Sequence, residues 1–377
     1  MKKCLTVILL ILSILSGIAF VYSCGDGGNK SDVSAEGYWI FHLMDEDASF
    51  EFFYSHLTVT QTGSNLTAEF SCDGSMPVGY GTADGNDINL TFDFGSDGMA
   101  VMAGSYDGST FSGTFTSSFY NGQWYFEESV EIDCSASCDP ISPEKFVDED
   151  FTDLGKVREI SLFRSGEGHD YSDFCESCRS MKHYFAPYSG YVFNDTIEIY
   201  SPVDGTITAI NTEMHGDTGS GINKQVHIRS TDFMDYTFVL FHMDLTPEAN
   251  SLGKAVQAGD LLGHAHMYNS SIPEYSHDFD IAVSVSTIYG QRYISYFEVM
   301  TDTLFADYEA RGAVAATNFV ITSSQRDAAP MTCDGETFTN TSSLNDWFVL
   351  DPKGAGANCV NSEECTSNSC SENICIP

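Results

Sequence analysis

The sequence predicts a mainly β protein: an N-terminal antiparallel barrel or sandwich, a second β-rich domain, and a small disulfide-rich tail. Three observations carry this. Ile88, Leu90, Phe92 and Phe94 alternate with Asn89, Thr91 and Asp93, the period of a strand with one buried face. Glycine, tyrosine and phenylalanine occur 32, 19 and 27 times in 377 residues, a composition suited to strands and tight turns. Four cysteines crowd the last twenty residues, where no apolar core is available. The length favours two or three domains.

Charge excludes one class of partner. Fifty-four acidic residues against sixteen basic ones leave a formal net charge of −38, and losing Lys2 and Lys3 with a leader takes this to −40. Such a surface repels phosphate backbones, so no nucleic-acid partner is expected. Aromatic content of 13% excludes a disordered acidic chain.

Residues 1–23 have a charged start, an apolar run from Leu5 to Tyr22, and then Val21-Tyr22-Ser23-Cys24. That order describes an export signal. Its end resembles the lipobox of bacterial lipoproteins, which implies lipidation of Cys24 and membrane attachment through that anchor. Under the sorting rule of those proteins, Gly25 in place of Asp favours the outer membrane. Residues 24–36 form a tether. Removing Cys4 and Cys24 leaves ten cysteines, an even number that suits disulfides in an exported protein.

From 37 to 132 short strands and turns recur. Leu57–Gln61 and Leu66–Phe70 flank Thr62-Gly63-Ser64-Asn65, a hairpin signal, and the runs 99–104, 110–116 and 123–126 continue at similar spacing. The pattern resembles the lipocalin-like barrels of envelope lipoproteins, with either ligand carriage or a spacer role. Residues 133–150 are an acidic connector in which Cys134 and Cys138 either bridge each other or clamp it to a neighbour. The second domain occupies 151–312. A segment at 313–357 shows a strand-like run at Asn318–Thr322 and an apolar patch at Trp347–Leu350. In the tail, 358–377, two bridges are expected among Cys359, Cys365, Cys370 and Cys375.

The second domain holds the chemistry. Asp204-Gly205-Thr206-Ile207 enters a strand, Gln225–Arg229 is a strand, Thr237–Met243 contains Phe241-His242-Met243, and Val256-Gln257-Ala258-Gly259-Asp260-Leu261-Leu262-Gly263 precedes Asp278-Phe279-Asp280-Ile281. In this order they resemble the M23 (LytM- or lysostaphin-like) zinc metallopeptidases over about 120 residues. The resemblance implies an antiparallel β fold with a metal groove and cleavage of peptidoglycan peptides. It maps the family's His-x-x-x-Asp zinc ligands onto His169 and Asp173, and its middle-strand histidine, which polarises the scissile carbonyl, onto His242. At the closing strand the chain departs: Asp278 and Asp280 stand where the family has His-x-His. Asp280 then becomes the third Zn²⁺ ligand and Asp278 takes the catalytic place. One imidazole with two carboxylates is a harder set that also tolerates Mn²⁺ or Fe²⁺.

Other readings stay open at these residues. Asp278 and Asp280 also suit a solvated or hydrogen-bonded pair, and His242 a satisfied core histidine. His264 and His266 are surrogate ligands or loop histidines. His183 has Pro187 four residues on, which cannot ligate. Cys175 and Cys178 are expected to bridge each other as a structural disulfide, because no βαβ rhythm supports a redox Cys-x-x-Cys. Two functions follow: a peptidoglycan-directed endopeptidase, or an inactive M23-like module that binds cell-wall peptides or a partner hydrolase.

Overall fold

A computed structural model of the chain describes residues 33–44, 51–94, 98–117, 121–192, 196–212, 223–266 and 278–376. Cys24 and the leader lie outside them. No described helix is long and apolar enough to cross a membrane.

The first domain is a closed antiparallel barrel, β1 (Gly37–Met44), β2 (Glu51–Thr62), β3 (Asn65–Phe70), β4 (Gly79–Asp84), β5 (Asp87–Asp93), β6 (Met99–Tyr106), β7 (Phe111–Thr116) and β8 (Asn121–Glu128), each paired with its sequence neighbours and β1 with β8. The alternation at 88–92 is borne out, with Ile88, Leu90 and Phe92 buried inside. Closure removes both sheet edges. Large inward rings require small partners: a Cβ on Gly104 would lie 2.6 Å from the Trp124 ring and 2.2 Å from the Ser112 carbonyl. That ring is buried with its indole N–H donating to the Thr114 carbonyl at 3.1 Å.

The second domain is an eleven-stranded antiparallel sheet. Its strands are β9 (Val157–Ser161), β10 (His183–Pro187), β11 (Glu198–Tyr200), β12 (Gly205–Thr212), β13 (Lys224–Ser230), β14 (Tyr236–Leu245), β15 (Ala255–Val256), β16 (Leu261–Ala265), β17 (Phe279–Thr287) and β18 (Gly290–Ile294), with Trp347–Val349 added at the β9 edge. The apolar patch at 347–350 is therefore a strand of this sheet. The run 318–322 is not a strand: Ala316–Phe319 is a 3-10 turn, and Val320 makes an isolated bridge to Phe163. Helices α1 (Tyr296–Val299) and α2 (Asp302–Glu309) bury Phe297, Leu304, Phe305 and Tyr308 against one sheet face. The other face bears the candidate site.

The barrel docks beside β17 and β18. The His56 N–H donates to the Ile288 carbonyl at 3.1 Å, and the Tyr54 hydroxyl lies 3.2 Å from both Asp235 and the Ser286 carbonyl. Disulfides extend this link: Cys72–Cys134 ties barrel to connector, Cys138–Cys175 ties connector to the loop before β10, and Cys178–Cys333 ties that loop to the C-terminal segment. The expected Cys175–Cys178 bridge is thus corrected. Each cysteine finds a distant partner because the loop is wedged between connector and C-terminal segment. Of the alternatives for Cys134 and Cys138, the clamp holds. The tail carries two bridges as expected, Cys359–Cys370 and Cys365–Cys375.

His183 is buried in the core. Its Nδ1 faces the Ser161 carbonyl at 2.8 Å, so Nδ1 carries the proton, and Nε2 accepts from the Ser295 hydroxyl at 2.8 Å. Burial pushes its pKa down to about 4 from 6.5. The stability it contributes is complete above pH 6.5 and is lost as pH falls through that value toward 4, about 3 kcal/mol at most. Denaturant titrations at pH 7.5 and 4.5 are expected to show His183→Gln losing about 2 kcal/mol less than wild type over that interval; equal losses would contradict the assignment.

Candidate functional site

The site is assembled on one sheet face by strand register. Tyr184 of β10 sits opposite Asp280 of β17, and alternation places Lys182, just before β10, on Tyr184's side. Beside β17, β14 presents Val239 and Phe241, which pack with Ala282, with Tyr293 of β18 and, from the loop outside the sheet, with Tyr171. His242 joins this face through a bulge. Val226 pairs with Leu240 and Lys224 with Met243, so Phe241 and His242 together oppose Gln225. His242 has a left-handed φ of 55°. Leu240 and Met243 consequently both point into the main core, three residues apart, and Phe241 and His242 share the opposite face.

Asp280 has a fully buried side chain with two cationic or polar neighbours. Lys182 Nζ stands 2.7 Å from Oδ2, and His242 Nε2 stands 3.2 Å from Oδ1. Neither approach has hydrogen-bond alignment, so the attraction is chiefly Coulombic. The Asn223 amide donates to His242 Nδ1 at 3.1 Å, which keeps the ring proton on Nε2, toward the carboxylate. Lys182 itself is only 2% exposed at its side chain. Burying an ammonium costs several kcal/mol without compensation. Here it is compensated by Asp280, by three aromatic faces (Phe241 at 4.0 Å, Tyr171 at 4.9 Å and Tyr184 at 5.2 Å) and by a hydrogen bond to His169 Nε2 at 3.2 Å.

His169 is set up to accept that bond. Its Nδ1 faces the Asp170 carbonyl at 2.9 Å and so carries the proton, leaving the Nε2 lone pair for Lys182. Burial, then the neighbouring Lys182 charge, holds its pKa below the ordinary histidine value, so the ring is neutral at neutral pH. Tyr184 is pushed up to about 12, by burial foremost, and keeps its proton.

Asp173 is elsewhere. Its fully buried carboxylate accepts from Arg292 Nε at 2.8 Å, from the Tyr293 N–H at 3.1 Å and from the Cys175 N–H at 2.9 Å. The two donors from β18 lock the loop to that strand, and the Cys175 N–H closes the turn within the loop. The H-x3-D spacing therefore does not bring His169 and Asp173 to one point: the intervening turn points the carboxylate at an arginine. Among the described residues, the one group of three or more His, Cys, Asp or Glu ligand atoms within 4.8 Å of one another is Cys359, Cys365 and Cys375, which are disulfide-bonded. Zinc needs ligand atoms about 2.0–2.2 Å from the ion. The point nearest His169 Nε2 and Asp280 Oδ2 is held by the Lys182 ammonium. As arranged, these residues do not fit a zinc ion.

The remaining sequence candidates lie around this centre. Asp278 is half-buried, just before β17, and its charge contributes to the raised pKa of Tyr184. His264 is on β16 opposite Glu198, and His266 Nδ1 meets Asp244 at 2.9 Å. The sequence reading missed Lys182 and Arg292. Lys182 had one usable signal, its two-residue offset from Tyr184, which puts it on the same face as that ring.

The loop needs Gly168, with φ +66°: a Cβ there would lie 2.0 Å from the Tyr184 hydroxyl. Glu176 receives Arg164 in two bonds, at 2.7 and 2.6 Å, and Arg179 at 2.7 Å; Arg179 also meets Asp327 at 2.8 Å.

No family model matches this chain, and no curated protein matches it. Among solved structures, it is similar to Helicobacter pylori Csd3 in an orthorhombic crystal, with 11% identity, 66% of this chain and 76% of that chain covered, and a TM-score of 0.29. That likeness carries no argument about fold or function.

Lys182→Met leaves Asp280 as a buried, uncompensated charge and is expected to cost about 3–5 kcal/mol. Lys182→Met with Asp280→Asn should recover at least half of the loss in a denaturant double-mutant cycle. Strictly additive losses would contradict the pair.

Proposed function

We propose that the protein is a lipid-anchored envelope protein, attached at Cys24, whose central domain is a non-catalytic M23-like module that binds cell-wall peptides. The observation that carries the non-catalytic part is the Lys182 ammonium between His169 Nε2 and Asp280 Oδ2. A zinc peptidase needs a Lewis acid with an open position for water or the scissile carbonyl. Here a side chain that can neither polarise a carbonyl through an open coordination site nor leave without exposing Asp280 takes that place. Arg292's hold on Asp173 supports the same reading.

The binding part is supported by what remains at the surface. His169 is 41% exposed at its side chain, edge-on to Tyr171 with ring centroids 6.2 Å apart and within 3.9 Å of the exposed Glu336 carboxylate. Aromatic faces with acidic neighbours suit peptides bearing free amino groups, and the net charge of −38 attracts the same class. The segment order around Val256–Gly263 supports cell-wall peptides in particular, through the M23 resemblance. The lipobox-like Val21–Cys24 supports the anchor, and Gly25 in place of Asp supports an outer-membrane address.

Incubation of the purified chain with peptidoglycan sacculi tests both parts. It should cosediment, more weakly at high salt, and release no soluble peptides with or without added Zn²⁺. Zinc-dependent release would restore the endopeptidase reading. Failure to cosediment at low salt would remove the binding role.

A further inference from the structure

A cavity of about 170 Å³ lies at the junction of the two domains, with Phe53, Ser55 and Asp73 on the barrel side and Ser172, Phe174 and Tyr293 on the other. Its two carboxylates are held differently. Asp173 is saturated: Oδ2 accepts from Arg292 Nε and the Tyr293 N–H, and Oδ1 accepts from the Cys175 N–H. Asp73 is only 6% exposed, yet one of its oxygens does all the bonding. Oδ1 accepts from the Ser75 N–H at 3.0 Å and the Ser75 hydroxyl at 2.5 Å, which closes a local turn. Among the described residues none donates to Oδ2, and no Lys, Arg or His pairs with this carboxylate. Oδ2 faces the second domain: a Cβ added to Gly290 of β18 would lie 3.1 Å from it. The same Asp-Gly-Ser turn recurs at 107–109 on the exposed barrel surface, where Asp107 Oδ1 accepts from Ser109 at 2.8 and 2.7 Å. The turn itself therefore requires neither burial nor the second oxygen.

We infer that this cavity binds a primary alkylammonium ion, its nitrogen on Asp73 Oδ2 and its stem against the aromatic walls. A buried carboxylate without a cation carries a desolvation cost that a bound cation offsets. Arg292 stands over Phe174 at 5.9 Å but is taken up by Asp173 and the Ser137 carbonyl. An ammonium has three donors. Oδ2 accepts one, and the hydroxyls of Ser55 and Ser172, which bond to no described residue, are acceptors for the others. The rings of Phe53, Phe174 and Tyr293 suit a cation with an apolar stem better than a hydrated metal ion. The net charge of −38 attracts the same sign of ligand. A cavity of roughly 150 Å³ takes benzene, so this one holds about six heavy atoms, the size of a butyl- or pentylammonium ion. A free amine and the side chain of a lysine-type residue share that chemistry, and the test separates them. The site is distinct from the Lys182 centre, and amine binding here does not depend on the peptide-binding role proposed above.

Full-length chain carrying ¹³C-methyl methionine is titrated with butylammonium chloride and, in parallel, with butan-1-ol as its uncharged counterpart. The methyl signal of Met76, at the cavity wall, should shift saturably at one equivalent, while that of Met102, inside the barrel, should not move. Butan-1-ol should bind at least tenfold more weakly. Asp73→Asn keeps the acceptor of the turn and removes the charge, and should weaken butylammonium at least tenfold. Asp107→Asn, the same change at the exposed turn, should leave binding unchanged. An unmoved Met76 signal, a shift at Met102, equal binding of the alcohol, or equal behaviour of the two Asn variants would overturn the site. Displacement of butylammonium by an equal concentration of Ca²⁺ would overturn the choice of an organic cation. Nα-acetyl-lysine methylamide binding within tenfold of butylammonium supports a peptide side chain as the source, and weaker binding supports a free amine. Comparing amine with alcohol needs no substitution, so that result stands even if Asp73→Asn does not fold.

Discussion

The buried pair of Lys182 and Asp280 is the constraint on which the central domain's site depends. A carboxylate with no exposed surface requires a cation, and the two neighbours within reach are an ammonium at 2.7 Å and an imidazole at 3.2 Å. In a metal site the cation is an ion, and the protein supplies only donors. Here it is covalently part of the chain, so the charge balance of the site is met without any bound group. The aromatic faces of Phe241, Tyr171 and Tyr184 follow from that choice, because an ammonium in a low-dielectric pocket regains from ring quadrupoles part of what it loses from water. So does the neutrality of His169, which serves Lys182 as an acceptor.

The surrounding architecture holds this arrangement in place. The loop carrying His169, Tyr171 and Asp173 makes few strand contacts of its own. It is instead fastened by disulfides at Cys175 and Cys178, by Arg292 on Asp173, and by Glu176 between Arg164 and Arg179. The first disulfide leads through the connector to Cys72–Cys134 and the barrel, so barrel, loop and C-terminal segment form one covalent chain of contacts around the site. Closing large loops in this way lowers the entropy of the unfolded chain. It also fixes the loop's register against β18, where a residue-by-residue packing core is small.

Much of the fold is legible in the sequence because strand periodicity and turn chemistry are local. The barrel's alternation, the strands at 205–212, 224–230 and 236–245, and the two bridges of the tail follow from patterns within ten or twenty residues. The site is less legible because its decisive contacts are not local. Spacing shows that His169 and Asp173 are four apart, but the carboxylate's direction is set by Arg292, 119 residues later. The bulge that turns His242 onto the site face depends on pairing with β13 and leaves no mark in Phe241-His242-Met243 itself. The same holds for Cys175 and Cys178: nearness in sequence suggests a bridge, and the partners are chosen by where connector and C-terminal segment run.

A crystal structure grown in excess zinc, with anomalous data collected at the zinc edge, tests the central claim most directly. The account predicts Lys182 Nζ within hydrogen-bonding distance of His169 Nε2 and Asp280, and no anomalous peak between those residues and His242. A peak there, ligated by His169 and Asp280 with the Lys182 side chain turned away, would contradict it.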